Sequence, residues 1–279
     1  MGLENLSPQP FDNPSGVSMK RHPLLAAVLL TVAASASLAD EKSEDGLTVT
    51  LGVERSRSSA TGESTDKPEV SPLFGLDYRS GRFFASTSQG IGYELWKTDL
   101  FSAFAALAFQ PGRKESKAGD KKDNPRLVGM GRVQSSGLLL LGIGAAPLDG
   151  LVNLNAVLLK PTRSEQGLTA AFGAGVGFPV WGPVSGSVEV GATYADRKHM
   201  QTFFGVTSAQ SLRSGNPVFT PKAGLMESTV SLGLNWEIDK QWSASASVGR
   251  MQQLGDAKKS PLFKTKNDTS ASVSVSYRF

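Results

Sequence analysis

Strict alternation of apolar with small polar residues, sustained over stretches of about ten residues, limits this chain more than any other feature. It is clearest at the carboxyl end, where Ala271, Val273, Val275, Tyr277 and Phe279 alternate with Ser270, Ser272, Ser274, Ser276 and Arg278. A period of two places one residue class on each face of a β-strand. The pattern recurs from Leu47 to Val53, Val184 to Tyr194, Val230 to Ile238 and Trp242 to Val248, and Leu168 to Val180 is apolar at every even position. A soluble sandwich shares such alternation, but three features favour a membrane barrel. The strands are long enough to cross a bilayer at a tilt. Aromatic residues (Tyr78, Trp96, Phe109, Trp181, Tyr194, Trp236, Trp242, Tyr277) cluster near strand ends, as an interfacial girdle requires. An export leader precedes the series.

That leader is read from Met19-Lys20-Arg21-His22, a basic head, followed by an apolar core from Pro23 to Ala34. Ser37-Leu38-Ala39 places small residues at −3 and −1 of a cut between Ala39 and Asp40, as a cleavable signal peptide needs. The core is too short for a membrane-spanning helix, which takes roughly 20 residues. No Cys follows it, which excludes a lipoprotein. Three segments result: a mis-assigned extension over 1–18 with translation starting at Met19, a signal peptide over 19–39, and a barrel over 40–279. The expected location is the Gram-negative outer membrane, with lipid as the barrel's first partner.

The fold class expected is all-β, an antiparallel transmembrane barrel of twelve strands: 46–55, 71–79, 82–88, 90–97, 100–110, 131–145, 151–161, 167–179, 183–196, 223–238, 241–250 and 268–279. Loop lengths test the count, because such barrels keep short turns on one side and long loops on the other. The four longest polar segments, 56–70, 111–130, 197–222 and 251–267, all fall on one side. Residues 82–97 are the weak point, since one strand there breaks the parity and leaves ten as the alternative. Inward positions are dominated by Ser, Thr, Gly and Glu189, so twelve strands leave a wet lumen unless loops fold inward.

Little in the chain carries chemistry. Cys is absent and His199 is the one histidine past the leader, so a transition-metal site has no ligand set. His199 reads as a loop histidine among basic neighbours, not as a triad base. Glu115, Asp120 and Asp123 are diluted by Lys114, Lys117, Lys121 and Lys122, which argues for a solvated charged loop over a Ca²⁺ site. Gly173-Ala174-Gly175-Val176-Gly177 lacks the Gly-Lys-Ser/Thr of a phosphate loop and sits inside a strand pattern. The net charge of +4 is dispersed, without the basic block that tracks nucleic acid. No catalytic residue, cofactor or metal is expected.

Several longer motifs stand in order. Phe203-Phe204-Gly205-Val206 is followed by Ala209-Gln210-Ser211, Ser214-Gly215, Pro221 and Gly224; Gly255-Asp256-Ala257 and Ser260-Pro261-Leu262 come later, with Tyr277-Arg278-Phe279 at the end. Upstream stand Tyr78-Arg79-Ser80-Gly81 and Gly90-Ile91-Gly92-Tyr93. Together they resemble the MipA/OmpV family of MltA-interacting proteins over nearly all of 46–279. One family segment, Pro-x-Tyr-x-Gly-Ser near the first strand, is replaced by Glu54 to Thr65. The resemblance implies a non-enzymatic outer-membrane barrel. For the namesake it implies a scaffold joining a lytic transglycosylase to a penicillin-binding protein. A porin-like channel or surface adhesin is the alternative. Tyr277 and Phe279 are expected to close the barrel and to serve its assembly.

Overall fold

In a membrane every backbone N–H and C=O needs an internal partner, and a closed sheet supplies one for each. The computed structural model of the chain, which describes residues 45–56, 68–118, 124–263 and 266–279, is such a sheet. Its strands are β1 (Gly46–Ser56), β2 (Glu69–Ser80), β3 (Phe83–Ser86), β4 (Gly90–Lys97), β5 (Phe101–Gln110) and β6 (Ser136–Ala145). They continue with β7 (Val152–Pro161), β8 (Thr169–Trp181), β9 (Val184–Ala195), β10 (Gly224–Glu237), β11 (Trp242–Gln253) and β12 (Asn267–Arg278). Each strand pairs antiparallel with its sequence neighbours, and β12 returns to β1, closing the barrel. The expected leader, its Ala39–Asp40 cut and residues 1–18 lie outside the described residues.

Closure is a continuous register in which Val49 faces Tyr277, Leu51 faces Val275 and Val53 faces Val273. The Phe279 N–H then donates to the Leu47 carbonyl at 3.0 Å. Outward positions form an apolar band: Leu51, Leu107, Ile143, Val190, Leu232, Leu234 and Val273 are each half-exposed or more. Such a surface in a chain of this size marks a lipid-facing wall. The short-turn end of that band is rich in aromatics, among them Tyr78, Phe83, Trp96, Phe101, Trp181, Trp236 and Trp242, all exposed.

Most strand bounds shift by a few residues, and two differences matter for the wall. Residues 82–97 do make two strands, but β3 has only 4 residues. The β3–β4 hairpin therefore turns back early, and β2 pairs with β3 only from Asp77 to Ser80. Pro72 lies in the part of β2 that pairs with β1 alone among the described strands, where a missing N–H is tolerated. The strand expected at 131–145 begins only at Ser136. Residues 131–135 instead belong to a loop in which Val133 bridges Arg113.

The lumen is also less uniform than a Ser/Thr/Gly lining. On the β3–β8 side, inward positions carry Phe84, Ala106, Leu138, Leu140, Leu159 and Ala171, all buried together with Phe104 and Val157 packed against them. Phe84 and Phe104 meet edge to face at 5.8 Å. Glycine makes room for both rings: a Cβ at Gly92 would stand 2.3 Å from the Phe84 ring, and one at Gly142 would stand 2.1 Å from that of Phe104. The other half of the wall is small and polar. Thr50 and Ser276 share a hydroxyl hydrogen bond at 2.8 Å, as do Ser247 and Ser272.

Candidate functional site at the loop end

Loops after β5, β7, β9 and β11 all leave from one end of the barrel, and two of them hold helices. Asp196 starts α1 (Arg197–Phe204) by accepting the His199 N–H at 2.7 Å. Thr207 starts α2 (Ser208–Ser214) with a reciprocal capping box to Gln210. Gly215, in the left-handed region at φ 72°, ends it. A third short helix, α3 (Gly255–Lys259), follows β11.

These loops share a dry core. Leu127, Met200, Val206, Ala257 and Leu262 have no exposed surface, and Met130, Phe203, Phe204 and Phe263 are nearly as buried. Phe204 stacks on Phe263 at 5.0 Å. Each fully buried side chain of this kind contributes roughly 1.5–3 kcal/mol relative to exposure, so the loops form a folded cap and not a set of solvated arcs.

Buried polar groups bolt the segments together. Arg113 Nη1 donates to the Phe203 carbonyl at 2.7 Å, and Ser260 Oγ donates to that of Phe204 at 2.7 Å. Asn124 Nδ2 donates to the Leu262 carbonyl at 3.0 Å, and Arg126 donates to the Pro261 carbonyl. The Gln210 amide donates to the Met130 carbonyl at 2.8 Å. Asp256 accepts from the Lys222 N–H and from Lys259 Nζ, contacts that hold its carboxyl below the ordinary carboxylate range.

The topology gives these bonds their meaning. Segment 124–127 hangs between β5 and β6, and segment 260–263 between β11 and β12. In the closed ring of twelve strands those two attachment points are six places apart, hence diametrically opposite. A hydrogen bond between them has to cross the mouth.

The structure thus gathers most of the sequence motifs at one place. Phe203, Phe204 and Val206 form the cap's centre, and Pro221 is fully buried beside it. Gly205 closes α1, where a Cβ would stand 2.2 Å from the Gln201 side chain. Ser214 accepts from the Asn216 N–H at 3.2 Å. Gly224 opens β10. Gly255 holds φ 51° at the start of α3, where a Cβ would press on the Leu225 carbonyl at 2.9 Å. Ser260 and Pro261 bond to other cap segments. Tyr277 and Phe279 stand apart, at the short-turn end, with rings 4.7 Å apart and Trp242 4.8 Å from Tyr277.

His199 is not a solvated loop cation. It is buried in α1, its Nδ1–H donates to the Gln166 carbonyl at 3.1 Å, and its ring lies 4.6 Å from that of Phe203. Burial outweighs that bond and the nearby Asp196, and pushes the pKa down to about 4, so the ring is a neutral part of the cap. Asp120 and Asp123 lie outside the described residues. Sequence reading overlooked Arg113, Asn124 and Gln166, three buried polar residues that carry cap bonds. Only Gln210, three residues after Thr207, carried a legible signal, that of a capping box.

Residues 49–279 match the family described as "MltA-interacting protein MipA". Comparison with curated proteins finds no match. Among solved structures, similarity extends to the NanC porin at 6% identity and TM-score 0.46, covering 82% of this chain and 100% of that one. The translocator domain of the autotransporter NalP from Neisseria meningitidis gives 13% and 0.44, with 88% and 92% covered. The COG4313 outer membrane channel from Pseudomonas putida F1 gives 10% and 0.42, with 86% and 100% covered. At these identities and TM-scores nothing about this chain's role follows from them.

Proposed function

The chain belongs to the MltA-interacting protein family, and on that premise we propose that it is a non-enzymatic, integral outer-membrane barrel that serves as a scaffold for cell-wall enzymes. The partners proposed are a lytic transglycosylase and a penicillin-binding protein, as the family's description suggests for the first of them. The observation that carries this reading is the cap. A porin needs an open outer mouth, and here the Asn124–Leu262 bond ties loops from opposite walls across it. The apolar band and its aromatic girdle support insertion in a bilayer, and short turns on one end support placing that end in the periplasm.

The contact surface is then the short-turn rim. Its largest turn, 146–151, holds Leu148 and Asp149 at φ 56° and 54°, conformations that non-glycine residues seldom adopt. Leu148 is 69% exposed there. A strained turn that offers an apolar side chain to solvent suits a docking point.

A photo-crosslinking amino acid at position 148, in cells carrying the full chain, tests the proposal. The expected adduct contains a lytic transglycosylase or a penicillin-binding protein, and is lost when the crosslinker is moved to the cap. Adducts that contain neither enzyme, at 148 and at the neighbouring turns alike, would overturn the scaffold. A second reading, a gated solute channel, is favoured by the small polar half of the lumen, where the inward-facing Ser247 remains exposed. Stable ion conductance by the purified barrel in planar bilayers would select it.

A further inference from the structure

The outer wall changes character over two successive rungs on the β11–β12–β1 seam. Ascending β11, outward positions run Ala246, Val248, Arg250 and Gln252; descending β12 they run Asn267, Thr269, Ala271 and Val273. On β1 they run Leu51, Val53 and Arg55, beside Val70 of β2. Leu51, Val53, Val70, Val248 and Val273 are exposed apolar residues. Arg250 pairs with Thr269, and Arg55 with Ala271. Arg55 thus shares a rung with Ala271 and with the exposed Val248 and Val70, while Arg250 and Thr269 stand one outward step nearer the loops, with amides above.

Neither arginine has an ion-pair partner among the described residues. Both stand on strands that flank β12, two strand spacings (about 9.6 Å) apart around the wall and offset by one outward step, about 6.8 Å, along it, a separation that two long guanidinium side chains can span. The opposite end of the same strands is unlike this. There the outward positions are Leu47, Trp242, Tyr277 and Phe279, with no cation. Within these three strands the outward-facing cations therefore stand at the loop-end border of the band, at the depth where lipid headgroups lie.

We propose that Arg55 and Arg250, with Thr269 between them, form a binding site for the phosphate of an anionic glycolipid headgroup in the outer leaflet. The site rests on the reading of the chain as a membrane barrel with its loop end outward. Guanidinium forks suit phosphate oxygens, and the hydroxyl supplies a further donor. The apolar side chains alongside, Val248 and Val70 on the rung of Arg55 and Val53 beneath it, offer a surface for acyl chains. A soluble phosphate has no use for that surface, so the occupant is a lipid-borne phosphate.

The full barrel, in nanodiscs of zwitterionic phosphatidylcholine, tests the site by native mass spectrometry of lipid retained after limited detergent extraction. Diphosphoryl lipid A is the probe, its dephosphorylated form the control, and inorganic phosphate the competitor. Wild type should retain the phosphorylated lipid in preference. Each of R55Q and R250Q should lower retention about fivefold, as one cation near an anionic surface does, and the pair about 25-fold. K160Q, an exposed cation on β7 across the barrel, should change it less than twofold. Equal retention of both lipid forms by wild type, unchanged retention by the double variant, or full displacement by millimolar phosphate would each overturn the site. If a variant failed to fold, the wild-type comparison of the two lipids would still decide. Failure of the wild type to insert would overturn the membrane reading itself, and normal insertion without preference would overturn the site alone.

Discussion

Asn124 donates from its side-chain nitrogen to the backbone carbonyl of Leu262 across 3.0 Å, and the two residues reach that bond from opposite walls of the barrel. Both are buried, Asn124 at 7% and Leu262 at 0% exposure. Water therefore does not compete for the bond, and removing one partner would strand a buried acceptor at a cost of about 1–3 kcal/mol. This bond and its neighbours tie the described loops together over an apolar core.

Acid should loosen the cap through His199. Burial lowers its pKa from 6.5 to about 4, so the folded cap binds the proton less readily than the unfolded chain. The stability this contributes is fully present above pH 6.5 and is lost as pH falls towards 4. Protease nicking of the 196–223 loop should rise through that window in wild type. In His199→Ala the pH dependence should largely vanish, while resistance at pH 7.5 falls through the lost Phe203 and Gln166 contacts. A pH profile unchanged by the substitution would remove His199 as its cause.

Facing should decide the tolerance of the wall. Val190 is 50% exposed on the outer face, and Arg there should destabilise the barrel in bilayers by about 2–4 kcal/mol. Arg at Ser187, which pairs with Gly233 and Gly177 on the inner face, should cost far less. Urea unfolding in lipid vesicles measures both, and equal losses would reverse the facing.

Gly142→Leu should be among the most damaging changes in a strand. The Phe104 ring occupies the space above Gly142, so added carbons must displace an aromatic already packed on Phe84. Overpacking of this kind costs about 1–3 kcal/mol. Gly144→Ala, where the nearest atom is a single Ser102 hydroxyl at 2.7 Å, should be milder. Melting of the heat-modifiable form in detergent separates the two.

Deleting Phe279 should slow assembly. The residue supplies the N–H that bonds Leu47 and the ring that meets Tyr277, at the seam where β12 joins β1. Pulse-chase appearance of the folded band should lag clearly behind wild type, and equal rates would show the last strand closes without it.

The barrel was legible in sequence because crossing a bilayer imposes one residue class at every second position. That rule placed β12, β10 and β9 nearly to the residue, and loop parity resolved the short β3–β4 hairpin. The inner apolar wall was hidden in plain sight: Leu138 to Leu141 is a continuous apolar run, the mark of a strand covered on both faces. The cap was not legible. Its Arg113 and Asn124 bonds join residues 90 and 138 positions apart, and no local pattern announces such pairs. Its helices are 8, 7 and 5 residues long, too short for a periodic signal, although the Thr207–Gln210 capping box was there to be read.

The seal itself can be tested by cross-linking, since the chain has no cysteine of its own. With Arg126→Cys and Pro261→Cys placed together in the folded, membrane-inserted barrel, a short bis-maleimide should join the two loops in most molecules. The joined barrel should stay electrically silent in planar bilayers. A barrel in which each cysteine reacts singly but the pair never joins, and which conducts steadily, would have an open mouth.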